Sequence, residues 1–181
     1  MRSVADVEKA IAAGEQVKFL FFWGHQGTAA SKACLSQWFP SPFTEHDHMF
    51  ATAEHYMMWR KATLFDDQHT AKRVLAADHP KQAKDLGRQV RNFDQVTWES
   101  HREKIVVDGN VLKFSQHDDM RAFLLGTGDR VLVEASPLDR VWGIGLKGDD
   151  PRAEDPAQWR GLNLLGFALR DVRKILDSGS E

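Results

Sequence analysis

The last thirty residues constrain the fold most tightly. Leu165, Ala168, Leu169, Val172, Ile175 and Leu176 recur at helical spacing, with Arg170, Asp171, Arg173 and Lys174 mostly off that stripe. An isolated helix of this length is marginal in water, so the stripe must pack on other elements. The preceding chain supplies them. Ser3 is expected to cap a short helix with Val4, Val7 and Ile11 on one face, ended by Gly14. Val17 to Trp23 is apolar and aromatic and reads as a strand. Either Thr44 or Thr52 starts the next helix, in which Glu54, Met57, Met58, Lys61, Leu64 and Phe65 share one face. Asp78 is expected to cap a short helix, with Pro80 near its first turn and Gly87 at its end. A longer helix spans Thr97 to about Phe114, with Gly109 as a weak point. Asp118 is expected to cap Met120 to Leu125, Gly126 stops that helix, and Arg130 to Glu134 reads as a strand. The expected fold class is therefore mainly α with a few short strands.

The irregular stretches are Gly24 to Ala33, Leu35 to Phe43 and Pro137 to Trp159. The second holds Trp38, Phe39, Pro40, Pro42 and Phe43, and its prolines oppose regular structure. Such a loop serves either as core cladding or as a stacking wall for a flat ligand. With 181 residues the chain suits a single domain. Hydrophobic residues at 42% argue against wholesale disorder, and a net charge of −2 argues against a generally basic nucleic-acid surface. One cysteine, Cys34, permits no intrachain disulfide and reads as a small hydrophobe. Met1 to Ala13 lacks the apolar core of a secretory signal, and no apolar run reaches membrane-spanning length. The expected location is the cytoplasm, with no membrane partner.

Three places carry candidate chemistry. Glu54 and Lys61 stand seven residues apart on an apolar helix face, about 10 Å along the axis. Burying both charges costs several kcal/mol unless they pair or are used. A structural ion pair and a ligand-binding pair both satisfy that condition. The second place is Asp139 to Gly145, where Gly143 permits close backbone approach and Trp142 offers a stacking face; an ordinary turn is the plain alternative. The third is Gly161 to Gly166, where Asn163 is a natural N-cap and the helix start favours a phosphate. The eight histidines include His46, His48 and His55, but no His-Glu-x-x-His and no cysteine cluster accompany them, so no metal and no cofactor are expected.

Read in order, several segments resemble the YbiA-like, or NADAR, family. They are Leu35-Ser36-Gln37-Trp38-Phe39-Pro40-Ser41-Pro42-Phe43, Ala53-Glu54-His55-Tyr56-Met57 with Lys61, and Leu86-Gly87-Arg88. Trp98, Lys113-Phe114-Ser115-Gln116, Leu124-Leu125-Gly126-Thr127-Gly128 and Leu132-Val133-Glu134-Ala135-Ser136 follow. Asp139-Arg140-Val141-Trp142-Gly143 and Gly161-Leu162-Asn163-Leu164-Leu165-Gly166 complete the set. The resemblance implies a YbiA-like helical domain over residues 17–178, preceded by an N-terminal helical extension over 1–16. It implies cleavage of a bond between ribose and nitrogen. Two substrate classes belong to the family: phosphoribosylamino-pyrimidine intermediates of riboflavin synthesis, and ADP-ribose on guanine bases of nucleic acid. Where many relatives have Ala-Gln-Lys, this chain has Trp59-Arg60-Lys61, beside the lysine rather than at it.

The resemblance carries over Glu54, Lys61, Trp98, Asp139 and Asn163 as site candidates. Breaking a ribosyl C–N bond needs a carboxylate near the anomeric carbon and a proton donor near the base. Glu54 is expected to stabilise the cationic sugar or to activate water, with Asp139 as the second acid-base or sugar-orienting group. Lys61 either binds phosphate or leaving group, or attacks the anomeric carbon as a Schiff-base nucleophile; borohydride trapping separates the two. Trp98 and Trp142 are expected to stack on the base and Arg88 to face phosphate. A module that binds ADP-ribose or a nucleotide without cleaving it is the alternative. A toxin or pathway partner is not visible in the sequence.

Overall fold

The computed structural model describes residues 1–179. Ser3 opens α1 (Val4–Ala12), its side chain accepting from the Asp6 N–H. β1 covers Phe19–Phe22 and is followed by a 3-10 turn at Lys32–Leu35. A hairpin of β2 (Phe43–Glu45) and β3 (His48–Phe50) comes next, with His46 at φ 50° in its tight turn. Three-residue strands beside two prolines left no alternating pattern in the sequence. Thr52, not Thr44, caps α2 (Ala53–Leu64) by accepting from the His55 N–H. α3 (Gln68–Leu75) starts at Asp67, whose buried carboxylate accepts from the Thr70 N–H.

α4 (Pro80–Gly87) corrects one expectation: its cap is His79, which accepts from the Lys81 N–H, while the Asp78 N–H is donated to Gln82. α5 (Gln95–Ser115) begins two residues before the expected Thr97, because Asp94 caps it. In α6 (Asp118–Leu125), Asp118 is the first helical residue rather than the cap. Its charge there is favoured by the helix dipole. β4 (Val131–Glu134) pairs in parallel with β1, Phe22 standing opposite Glu134. Two 3-10 turns, Pro151–Glu154 and Pro156–Gln158, break the long irregular stretch before α7 (Leu164–Ser178). The fold is mainly helical with a few short strands.

α2 lies at the centre, in contact with α3, α4 and α5. Its first two turns depart from a one-sided stripe: Ala53 to Met58 are all buried. Two glycines allow that enclosure. A Cβ on Gly87 would run into the Met58 sulfur, and one on Gly109 would sit 2.5 Å from the Tyr56 ring. α7 packs on α5 and β4. A smaller second core holds Val7, Val131, Val133, Ile144, Leu146, Ala153 and Phe167 beneath the β1–β4 pair.

Candidate functional site

Glu54 sits in the first turn of α2 and is 3% exposed. Its N–H is donated to the Gln37 carbonyl at 3.0 Å, which fixes the helix start against the Trp38 loop. Its Oε1 is buried and has no hydrogen-bond partner in the protein. Burial pushes the carboxyl up to about 7; the positive charge of Lys84 and a hydrogen bond from Trp38 pull the other way, and the negative charge of Asp139 adds to the rise. The Trp38 indole lies between two imidazoles, its ring 6.0 Å from those of His25 and His79, with the Lys84 Nζ 6.0 Å from its centre.

The loop that carries Trp38 is held from behind by α5. Lys113, fully buried, donates to the carbonyls of Cys34 at 2.6 Å and Ser36 at 3.0 Å. Asn110 donates to the Gln37 side chain at 2.8 Å. Lys113 pays desolvation, which lowers its ammonium to about 7, in return for fixing this loop. Cys34 is buried, with its thiol pushed up to about 11, and is the inert small residue expected.

A second buried carboxyl, at the end of β4, feels the charges of Glu54 and Asp139. The Oε2 of Glu134 is buried without a partner. Burial, then the charges of Asp139 and Glu54, push its carboxyl up to about 8. The sequence contained Glu134 within a family segment but gave no reason to single it out. The missed signal is its place as the last residue of a strand whose parallel neighbour ends beside it.

The loop after β4 folds back on the backbone carbonyl of Glu134. Gly143 has no room for a side chain: a Cβ would lie 2.8 Å from the Glu134 carbonyl oxygen and 3.1 Å from that of Asp139. Asp139 caps its own turn, one oxygen accepting from the N–H groups of Val141 at 2.9 Å and Trp142 at 2.8 Å. Trp142 is half-buried against the main core. Asn163 precedes α7 but its side chain does not cap the helix. It adopts a left-handed conformation, φ 53°, accepts from the Glu134 N–H at 3.0 Å and donates to the Leu132 carbonyl at 3.0 Å. The helix start therefore carries a tether for β4.

Lys61 does not sit with Glu54. Its Nζ lies over Phe93 at 4.2 Å and Trp98 at 5.4 Å, and burial lowers its ammonium pKa. Glu54 thus has Trp38 beside it and feels the charges of Lys84 and Asp139, its own charge reaches Glu134, and Lys61 lies instead with Trp98 and Phe93. Arg88, the C-cap of α4, is exposed and bound to Asp85 at 3.0 Å, yet its charge reaches Glu54. His55 is structural, bridging Thr52 and the Ala77 carbonyl. Among the described residues no group of three or more His, Cys, Asp or Glu could hold a metal, and no helix is long and apolar enough to cross a membrane.

Two carboxyls kept protonatable near neutrality beside an indole are suited to acid-base chemistry on a flat, uncharged group. Known proteins share this frame. The NMR structure of the Escherichia coli protein YbiA superposes with a TM-score of 0.73 and 26% identity, covering 91% of this chain and 88% of that one. The N-glycosidase R617 of Acanthamoeba polyphaga mimivirus is 41% identical over 165 residues, 88% of this chain and 97% of its own length. The N-glycosidase Npun_R5314 of Nostoc punctiforme is 34% identical over 141 residues, 78% of this chain and 83% of that protein. The NADAR domain family model matches residues 21–177, and the chain belongs to that family.

Proposed function

We propose that this chain, an N-glycosidase, hydrolyses the bond between a ribose carbon and nitrogen in a phosphorylated ribosyl compound, with Glu54 at the reacting carbon. The substrate is either ADP-ribose on a guanine base of nucleic acid or a phosphoribosylamino-pyrimidine, and the enzyme works in the cytoplasm. One observation carries the reading: a carboxylate held at the buried start of α2, with one free oxygen and a hydrogen bond from the Trp38 indole. Ionised Glu54 takes a proton from water as that water attacks the anomeric carbon, and its charge stabilises the cationic sugar. Trp38 and Trp142 flank the base, and Lys84 and Arg88 receive phosphate. Asp139 orients the sugar and adds negative charge beside it. Asn163 and Gly143 hold the β4 end and its loop in place. Lys61, on the faces of Trp98 and Phe93, stands about 10 Å farther along α2, suited to the distal part of a nucleotide.

The test is a side-by-side assay of an ADP-ribosylguanine oligonucleotide and the phosphoribosylamino-pyrimidine, with chromatography of the released base. Glu54→Gln should keep the circular dichroism spectrum of the native chain and lose at least about 100-fold in kcat. Unchanged turnover removes Glu54 from the chemistry, and tight binding without release of base in the native chain makes the protein a binding module instead.

A further inference from the structure

We propose that Glu134 is a catalytic residue of this site: the acid that protonates the leaving nitrogen. The proposal rests on the N-glycosidase reading above. Asp139 is the other carboxylate open to this role, but its Oδ1 accepts two N–H groups of its own turn, which suits it to orienting the sugar. Glu134 carries no such commitment. Its Oε2 is buried and without a partner, an arrangement that costs free energy unless the oxygen carries a proton or meets a ligand.

The backbone under Glu134 is fixed on three sides. Its N–H is donated to Asn163 at 3.0 Å, its carbonyl accepts from the Ile144 N–H at 2.9 Å, and β1 runs beside it in register. Gly143 presses on that same carbonyl. This much bracing of one residue matches what a proton donor requires: a carboxyl that does not swing away.

The charges that face Glu134 come from three elements. Asp139 lies on the following loop, Glu54 on α2 and Lys84 on α4; Asn163, before α7, is neutral. Burial first, then the two negative neighbours, outweigh one lysine and raise the carboxyl to about 8, which favours its protonated form near neutrality. Glu54, which Lys84, Arg88 and a hydrogen bond from Trp38 pull back towards ionisation, is the readier of the two to give up its proton. Two carboxyls whose environments separate them in this order divide into base and acid.

The step balances. The C–N bond breaks with its electron pair going to nitrogen, and the Glu134 proton passes to that nitrogen. Water forms the new C–O bond at the anomeric carbon and gives its proton to Glu54. Glu134 ends ionised and Glu54 protonated, and exchange of one proton through solvent restores both.

The test uses the full chain and whichever of the two ribosylated substrates above the native enzyme cleaves. The native kcat/KM should fall on the alkaline side. Glu134→Gln should lower kcat by about 10²–10⁴-fold with KM within about 3-fold, and the alkaline fall should disappear. Asp139→Asn should keep the alkaline fall, although it weakens the turn. Glu134→Asp, still an acid, should restore part of kcat and shift the alkaline fall. A Glu134→Gln enzyme that retains more than about a tenth of native kcat, or that keeps the alkaline fall, overturns the proposal. Should Glu134→Gln not fold, Glu134→Asp decides: a shifted fall supports the assignment and an unmoved one overturns it. A native chain that releases no base from either substrate defeats the N-glycosidase reading itself, which is a separate result.

Discussion

Glu54 and Lys61 illustrate how far residue type and spacing reach. Both lie where helical periodicity puts them, seven residues apart on α2, and Glu54 is buried as its place on an apolar face implies. Their partners were not legible. Glu54 answers to Lys84 and Trp38, and Lys61 to Phe93 and Trp98, because tertiary packing brings α4, the aromatic loop and the start of α5 to different turns of the same helix. Glu134 was hidden for a related reason: its neighbours in the sequence do not show that it is buried, and the charges around it come from α2, α4 and the loop after β4. The electrostatics that result give a prediction about pH. The Glu54 carboxyl, raised from 4.5 to about 7 chiefly by burial, accepts a proton from water only when ionised. Activity through it is therefore absent well below 7 and rises as pH passes through about 7. A pH series of kcat/KM on the native chain should show this rise near 7, some two units above that of an ordinary glutamate, and a rise near 4.5 would mean that Glu54 is not the base.

At the scale of elements, helices with caps and stripes were readable and contacts between them were not. α1, α5 and α7 follow from Ser3, from the run after Thr97 and from the last apolar stripe. α3 and the β2–β3 hairpin were not foreseen: α3 spends only eight residues on a narrow buried face, and each strand has three residues. Gly109 shows what a sequence read alone misjudges. It counts as a weak point in a long helix by propensity, whereas in the fold its missing side chain lets the Tyr56 ring of α2 pack against the α5 backbone. An added methyl would meet the ring of Tyr56, which is fully buried and linked through its hydroxyl to Arg60 and Glu45. Gly109→Ala should therefore destabilise the chain by about 1–3 kcal/mol despite alanine's better helix propensity, as overpacking exceeds a gain of about 1 kcal/mol. Urea unfolding measures it. Gly87→Ala meets the Met58 thioether instead, a flexible group that yields more easily, and should cost less.

On the scale of the whole molecule, the question is what the first sixteen residues do. The family match begins at residue 21, beyond α1. Yet Val7 of α1 is fully buried in the smaller core with Val131, Val133, Ile144 and Phe167, and α1 packs against the 3-10 turn at Pro156–Gln158. That core lies beneath β4, the strand that ends at Glu134 and is tethered by Asn163. Removing residues 1–16 exposes the apolar surface that Val7 and Ala10 cover. Burial of one valine contributes about 1.5–3 kcal/mol, so the loss should be about 2–4 kcal/mol once Ala10 is included. For a chain of this size, that lowers Tm by roughly 4–16 °C. The cost should extend beyond stability. Loosening the support under β4 moves Glu134 more than Glu54, which stands on α2 in the main core. Scanning calorimetry and steady-state kinetics on the truncated chain at a temperature where it remains folded should show a lower Tm and a reduced kcat. An unchanged Tm would make α1 a dispensable appendage, and a lowered Tm with native kcat would mean that the smaller core stabilises the fold without positioning the carboxylate.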